Sequence, residues 1–263
     1  MKKENFLLSY GPWGLVTGAS DGIGKNLALE FAKLGLKLIL VARRKEELEK
    51  LSKKIQMDYG LESKIIPLDL SLPSSNQTLF QEIADFKIGL FAGVAGFGSV
   101  GEFADEPLSN QLSMLDLNCR SVLEQTHYFA QKFKAQKRGG IILFSSILGF
   151  QGAPFSANYS ATKAYIQSLA EALHFECKPY GVAVLSVAPG PVRTHFFKRA
   201  HMKEQMADSP QVVARDIVSA LGSKITLRPG FLGKFLGWSL LILPRFFRIL
   251  VLKKIMQGSM EKQ

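Results

Sequence analysis

The feature that most restricts the fold of this chain is the regular exchange of short, unbroken apolar runs with helix-length segments. Leu15-Val16-Thr17, Leu38–Ala42, Ile65–Leu68, Ile88–Ala92, Ile141–Ser145 and Val182–Val187 read as strands. A strand without polar alternation has no face to offer water, so these runs suit a parallel sheet covered on both sides. Between them lie helix-length segments over about 23–34, 45–57, 75–85, 109–135 and 159–177, and Gly14, Gly60, Gly139-Gly140 and Gly181 punctuate the joins. This repetition predicts an α/β, doubly wound parallel sheet with right-handed crossovers. Ligands of such sheets sit at the C-terminal ends of the strands, so residues that directly follow strands are the first candidates for chemistry.

A chain of 263 residues with 47% hydrophobic residues buries a full core and suits one domain rather than two. The two cysteines, Cys119 and Cys177, stand far apart, which favours a reducing compartment over a disulfide scaffold or a thiolate zinc site. His127, His174, His195 and His201 form no HxxxH or HExxH pattern, so no metal is expected. Near the N-terminus only Phe6-Leu7-Leu8 follows the basic Met1-Lys2-Lys3, too short for a secretory signal, and a cytoplasmic location is expected. The net charge of +11 is concentrated in residues 193–263, which hold 13 Lys/Arg against 4 Asp/Glu. No helix-turn-helix, zinc-finger or RNP-like pattern accompanies that charge, so nucleic acid is not the expected partner.

After the first strand comes Thr17-Gly18-Ala19-Ser20-Asp21-Gly22-Ile23-Gly24-Lys25. Gly18, Gly22 and Gly24 turn the chain tightly and let a ligand approach the backbone. The helix that follows offers unpaired N–H groups and a positive dipole end to a pyrophosphate. A P-loop would need GxxxxGK[ST], and Ala19 and Asn26 occupy two of its required positions, so that reading fails. At the end of the second strand, where an NAD site usually carries an acid, the chain reads Ala42-Arg43-Arg44. Arg43 can pair with a 2′-phosphate and Ser20 can donate to it, which favours NADP(H) over NAD(H); Asp21 is a counter-signal, since a carboxylate repels phosphate. Asp69, ending the third strand, either contacts adenine or caps a turn.

A Tyr-x-x-x-Lys pair sets a phenol and an ammonium on one helix face. Tyrosine alone is a poor base near neutrality, and an adjacent ammonium stabilises its phenolate. The spacing occurs twice, at Tyr128…Lys132 and Tyr159…Lys163. Tyr128 lies well inside a long helical segment and reads as structural. Tyr159 follows the strand Ile141–Ser145 closely, and Ser146 at that strand's end can hydrogen-bond a substrate carbonyl and the phenol together.

Taken together, Thr17–Gly24, Ser146, Tyr159-Ser160-Ala161-Thr162-Lys163 and Pro189-Gly190-Pro191-Val192-Arg193-Thr194 resemble the short-chain dehydrogenase/reductase family, over about residues 13–195. The resemblance implies a Rossmann-type sheet of about seven strands and an NADP(H)-dependent interconversion of carbonyl and alcohol. It implies Tyr159 as acid/base, Lys163 as ribose ligand and modifier of the tyrosine, Ser146 as the group that orients the carbonyl, and Asn118 as support for a proton relay. Gly18, Ser20, Gly22, Ile23, Gly24, Arg43, Asp69, Tyr159, Lys163, Pro189, Gly190, Val192 and Thr194 are then the cofactor-binding set, with the Val192 backbone and Thr194 hydroxyl at the nicotinamide end. The chain departs from the family where Gly93-Val94-Ala95-Gly96 replaces the frequent Asn-Asn-Ala-Gly, so hydrogen bonding there must be solved differently.

Residues 10–192 thus read as the cofactor and catalytic body, and 193–263 as a substrate-specificity segment with an apolar, basic helical extension. Phe196, Phe197, Met202 and Met206 suit an apolar lid or ordinary packing. The uncharged run Phe235–Pro244 is too short to span a bilayer before Arg245 and Arg248 interrupt. From Pro244 onward Arg245, Arg248, Lys253 and Lys254 fall at about 0°, 300°, 80° and 180° around a helix, which is not one polar stripe. Substrate cover, peripheral membrane contact through 231–256 and a homo-oligomer interface (dimer or tetramer) all remain open, and each suits a small hydrophobic carbonyl or alcohol substrate: a 3-oxoacyl compound, ketone, aldehyde or steroid.

Overall fold

The computed structural model describes residues 2–194, 207–231, 233–234 and 242–259. The strands are β1 (Trp13–Thr17), β2 (Lys37–Ala42), β3 (Ser63–Pro67), β4 (Ile88–Gly93), β5 (Gly139–Phe144), β6 (Val182–Val187) and β7 (Thr226–Leu227). They form one sheet in the order β3-β2-β1-β4-β5-β6-β7, every neighbouring pair parallel. The doubly wound architecture expected from the apolar runs is the one found. Order reverses between β1 and β4, and that reversal opens the crevice in which such sheets bind ligands.

The helices described are α1 (Lys3–Tyr10), α2 (Gly22–Lys33), α3 (Lys45–Tyr59), α4 (Ser75–Glu82), α5 (Leu108–Leu115), α6 (Val122–Gln136), α7 (Ala157–Cys177), α8 (Pro210–Ala220) and α9 (Arg245–Ser259). Strand side chains alternate between two cores. Val16, Leu40 and Ile142 pack with Phe6, Leu27, Phe31 and Ile217 on one face. Leu15, Ile39, Val41 and Ile141 pack with Phe91, Phe129, Phe133 and Ile166 on the other. Each strand is therefore buried twice, which is why its sequence shows no polar alternation.

Several boundaries differ from the sequence reading for identifiable reasons. The segment expected as one helix over 109–135 is α5 and α6 joined by a π-helical turn, Asp116–Ser121, which contains Asn118. π-turns of this kind are common at functional sites. β3 begins two residues early and ends at Pro67, which the sheet tolerates because β3 is an edge strand. β7 has only two residues, too few for any periodic signal. The eight-residue α1 was not expected: it is marginal alone and is held by Phe6, fully buried against Tyr10 and Phe31 at ring-centroid distances of 5.1 and 6.0 Å.

The expected lid residues Phe196, Phe197, Met202 and Met206 lie outside the described residues, as does most of Phe235–Pro244. Of the C-terminal extension, α9 is described. Among the described residues no helix is long and apolar enough to cross a membrane.

Since Phe6 is the fully buried aromatic of α1, Phe6→Ala should lower unfolding free energy by about 3–5 kcal/mol, read from the urea midpoint, without changing ligand binding in the crevice.

Candidate active site

A cavity of about 540 Å³ occupies the C-terminal ends of β1 to β6. Its floor at the β1–β4 seam is made by the glycine loop. Gly18 has φ +65°, and a Cβ there would stand 3.0 Å from Ala95 N. A Cβ on Gly24 would collide with the Gly18 carbonyl, so only glycine lets α2 start this close to β1. Gly22 has φ +53°, and a side chain there would meet Thr194 Cγ2 at 2.6 Å, which places the loop after β6 directly over the start of α2.

The absent asparagines of the Gly93–Gly96 segment are replaced from the neighbouring strand. Thr17 Oγ1 accepts hydrogen bonds from Val94 N at 3.0 Å and Ala95 N at 3.1 Å. The hydroxyl at the end of β1 thereby holds the backbone at the end of β4.

At the far end of the cavity the charges are paired. Arg44 donates to Ser20 Oγ at 3.2 Å and lies 3.9 Å from Asp21, while Arg43 lies 3.6 Å from Asp69. Asp21, the counter-signal to phosphate binding, thus already has a cation beside it. Asp69 also accepts from Ser71 N and Ser71 Oγ, at 3.0 and 2.7 Å. Burial works to raise its carboxyl, but the Ser71 hydrogen bonds and the Arg43 charge outweigh it and the group titrates below its ordinary range. Sequence reading singled out Arg43; the side chain that reaches the glycine loop is Arg44. The available signal was its neighbour's own doublet, Arg43-Arg44, but no strand pattern tells which of two consecutive arginines turns inward.

Ser146, Tyr159 and Lys163 line the opposite part. Ser146 directly follows β5, accepts from Leu148 N at 3.2 Å to start the 3₁₀ turn Ile147–Phe150, and hydrogen-bonds the Tyr159 phenol. Lys163, one turn beyond Tyr159 on α7, donates to the Phe144 carbonyl at 2.8 Å, and its Nζ lies 5.7 Å from the Tyr159 ring centre. Burial pushes the Tyr159 phenol up to about 12, with the Ser146 hydrogen bond pulling the other way. The same burial pulls the Lys163 ammonium down to about 8, with Cys119 acting to raise it. The ammonium was expected to draw the phenol down; desolvation of both charged forms is the larger effect.

Asn118 does not line the cavity but lies buried behind it. It accepts from Phe97 N at 3.1 Å and donates to Phe97 O at 2.8 Å and Thr162 Oγ1 at 3.2 Å, tying the loop after β4 to α7. A Cβ on Gly96 would come within 3.0 Å of Asn118 Oδ1 and 3.4 Å of Lys163 Nζ. Pro189 O accepts from Ile147 N at 3.1 Å, so the loop after β6 is fastened beside Ser146. Gly18, Ser20, Gly22, Ile23, Gly24, Arg43, Asp69, Ser146, Tyr159, Lys163, Pro189, Gly190, Val192 and Thr194 all line the one cavity. Wall residues that sequence reading did not name are Ser99, Val100, Leu148, Ser156 and, from α9, Leu252, Ile255 and Met256. The second Tyr-x-x-x-Lys pair serves packing: Tyr128 stacks on Phe80 at 4.2 Å, and Lys132 donates to the Phe86 carbonyl at 3.1 Å.

A serine, a tyrosine and a lysine at one sheet edge, with a glycine-cradled helix start opposite, define a class of dinucleotide-fold oxidoreductases, and known proteins agree. The profile of the family described as short chain dehydrogenase matches residues 13–205. A 7beta-hydroxysteroid dehydrogenase of Clostridium sardiniense is 33% identical over 234 residues, 88% of this chain and 90% of that protein. A solved 7beta-hydroxysteroid dehydrogenase superposes with a TM-score of 0.87 at 27% identity, covering 94% of this chain and 98% of its own. A short-chain dehydrogenase from Sphingobium yanoikuyae, solved in complex with NADPH, superposes with a TM-score of 0.79 at 25% identity, covering 88% and 92%. The chain belongs to the short-chain dehydrogenase/reductase family of oxidoreductases.

With the phenol near 12 and the ammonium near 8, only Lys163 changes charge in the ordinary working range. The kcat/KM for carbonyl reduction should hold on the acid side and fall as pH rises through about 8, in a profile taken from about pH 6 to 10. Lys163→Arg keeps its charge throughout, so its residual activity should lack that inflection.

Proposed function

We propose that this protein is an NADP(H)-dependent oxidoreductase that interconverts a ketone and a secondary alcohol on an apolar substrate of steroid size. The observation that carries the reading is the convergence of Ser146, Tyr159 and Lys163 with the glycine cradle and Arg44 on one cavity whose remaining wall is mostly apolar. When bound, the dinucleotide supplies or accepts the hydride. Gly18 and Gly24 fit such a group, because without side chains they let the loop pack closely on its own backbone and on the end of β4, which brings the start of α2 and its N–H groups to the cavity where a pyrophosphate would lie. Ser20, Arg43 and Arg44 would hold a 2′-phosphate, Asp69 would serve the adenine side, and Tyr159 and Lys163 would hold the ribose. Ile23 and Gly22 offer backbone donors, and Pro189, Gly190, Val192 and Thr194 receive the nicotinamide end.

In the reductive direction Ser146 Oγ holds the carbonyl oxygen beside the Tyr159 hydroxyl. The phenol would give its proton to that oxygen as negative charge develops on it. A phenol kept protonated by burial is a competent acid for a developing alkoxide. Lys163, beneath the tyrosine, steadies the phenolate left behind, and Asn118 supports its reprotonation by keeping the Phe97 loop and α7 in register. In oxidation the same groups act in reverse.

The inner face of α9 acts as part of the substrate segment, since Leu252, Ile255 and Met256 complete the apolar wall. The Clostridium sardiniense relative is a hydroxysteroid dehydrogenase, which supports a bulky, apolar, ring-shaped substrate over a sugar or small acid. A 3-oxoacyl compound is the next class to assay. The exposed leucines Leu108, Leu112, Leu115 and Leu123 on α5 and α6 supply the contact surface for a homo-oligomer.

Tyr159→Phe should reduce turnover of a steroid ketone about a hundredfold to ten-thousandfold while NADPH binding, read by fluorescence titration, persists. Undiminished turnover in that variant would sink the reading. Removing both guanidinium groups in Arg43→Ala/Arg44→Ala should raise KM for NADPH about tenfold to a hundredfold and leave that for NADH unchanged, as loss of charge-assisted hydrogen bonds to one phosphate requires.

A further inference from the structure

The helix α9 has two unlike faces, and only one of them is used by the cavity. Leu252, Met256 and Ser259 are buried against the body, and with Ile255 they line the cavity. At 100° per residue these three buried positions centre on the side near 350°, counted from Arg245, which the helical wheel alone could not identify as the inside. The opposite arc, from about 100° to 240°, carries Phe246, Phe247, Leu250 and Val251. Phe246 is 66% exposed and Phe247 53%, and Ile242, in the segment that leads into α9, is 83% exposed. Single exposed apolar residues are ordinary, but a contiguous aromatic and aliphatic face is not.

The charge around that face is of one sign. From Ile242 to Ser259 the chain carries Arg245, Arg248, Lys253 and Lys254 and no acidic residue. Arg248 and Lys253 flank the apolar arc, and Lys254 stands within it one turn beyond Leu250. Long cationic stems can lie along an apolar surface and keep their heads in water or among phosphates. A second copy of this chain is a poor occupant, since stacking two such faces brings together three cations from each (Arg248, Lys253 and Lys254) with no carboxylate on either helix. An anionic lipid surface answers both features at once, taking the rings into its interface and the cations against its headgroups.

We propose that the outer face of α9 docks on an anionic phospholipid bilayer, so that the helix forming one wall of the cavity lies at the lipid surface. That an apolar substrate then passes from lipid to cavity rests on the oxidoreductase reading; the docking itself does not, and is measured without turnover.

The test is co-sedimentation of the full chain with sucrose-loaded vesicles of phosphatidylcholine alone, or with about one third phosphatidylglycerol. The protein is expected to pellet with the anionic vesicles and not the neutral ones, and to be released by raised salt. Phe246→Ser/Phe247→Ser and, separately, Lys253→Glu/Lys254→Glu should each weaken partitioning at least about tenfold. Both variants should keep the parent melting temperature and its turnover of a water-soluble ketone. The charge-reversed pair keeps the test decisive should the serine variant prove unstable. Wild-type protein left in the supernatant with anionic vesicles overturns the proposal. So does unchanged partitioning of both variants, or a serine variant that dissociates a dimer in sedimentation velocity while still binding vesicles, which would assign the face to a second copy.

Discussion

The hydrogen bonds from Val94 N and Ala95 N to the Thr17 hydroxyl hold together the seam on which the site depends. β1 and β4 are neighbours in the sheet although far apart in sequence, and beyond their last paired residues the chain must leave in opposite directions. Without that hydroxyl Ala95 N would lose its acceptor, and Val94 N would keep only the Ala92 carbonyl, at 3.2 Å. Thr17 satisfies both, and the neighbouring glycines then allow α2 to begin almost in contact with β1. The opening left above the seam receives the loops after β2, β3, β5 and β6, so residues separated by more than a hundred positions meet around one volume.

The electrostatics of that volume divide into two regimes. Near Arg43 and Arg44 the groups are partly exposed, and their pairing with Asp69 and Asp21 is worth little as stabilisation. Its effect is to neutralise carboxylates that would oppose an anion. Around Tyr159 and Lys163 desolvation dominates: it keeps the phenol protonated and makes the ammonium easy to discharge. The Phe144 carbonyl gives the buried ammonium a partner, and through it α7 is fastened to the end of β5. One hydrogen bond thus serves the packing and orients the Lys163 side chain in the cavity.

Much of the fold was legible because burial on both faces leaves a continuous apolar signature in each long strand. What escaped were elements whose cause is remote. α1 exists because Phe6 finds Phe31, and β7 because β6 offers a free edge. The π-turn at Asp116–Ser121 divides a helix whose periodicity gives no warning, and it faces Asn118 toward Phe97 and Thr162. The glycine loop, Ser146 and the Tyr159–Lys163 pair were readable as a motif, since each needs a particular residue type at a particular backbone position. Arg44 rather than Arg43 at Ser20, and α9 at the cavity wall, were not, because they depend on which side of a turn or helix meets the body.

The sequence by itself determined the sheet class, the crevice end and the chemical types gathered there, because strand burial, tight turns and helix spacing are local rules written in consecutive residues. Tertiary structure alone decided how the titration of the Tyr159–Lys163 pair is displaced, which of two consecutive arginines reaches the glycine loop, and which face of α9 turns inward. Those outcomes are set by desolvation and by contacts between segments distant along the chain, and no local pattern encodes either.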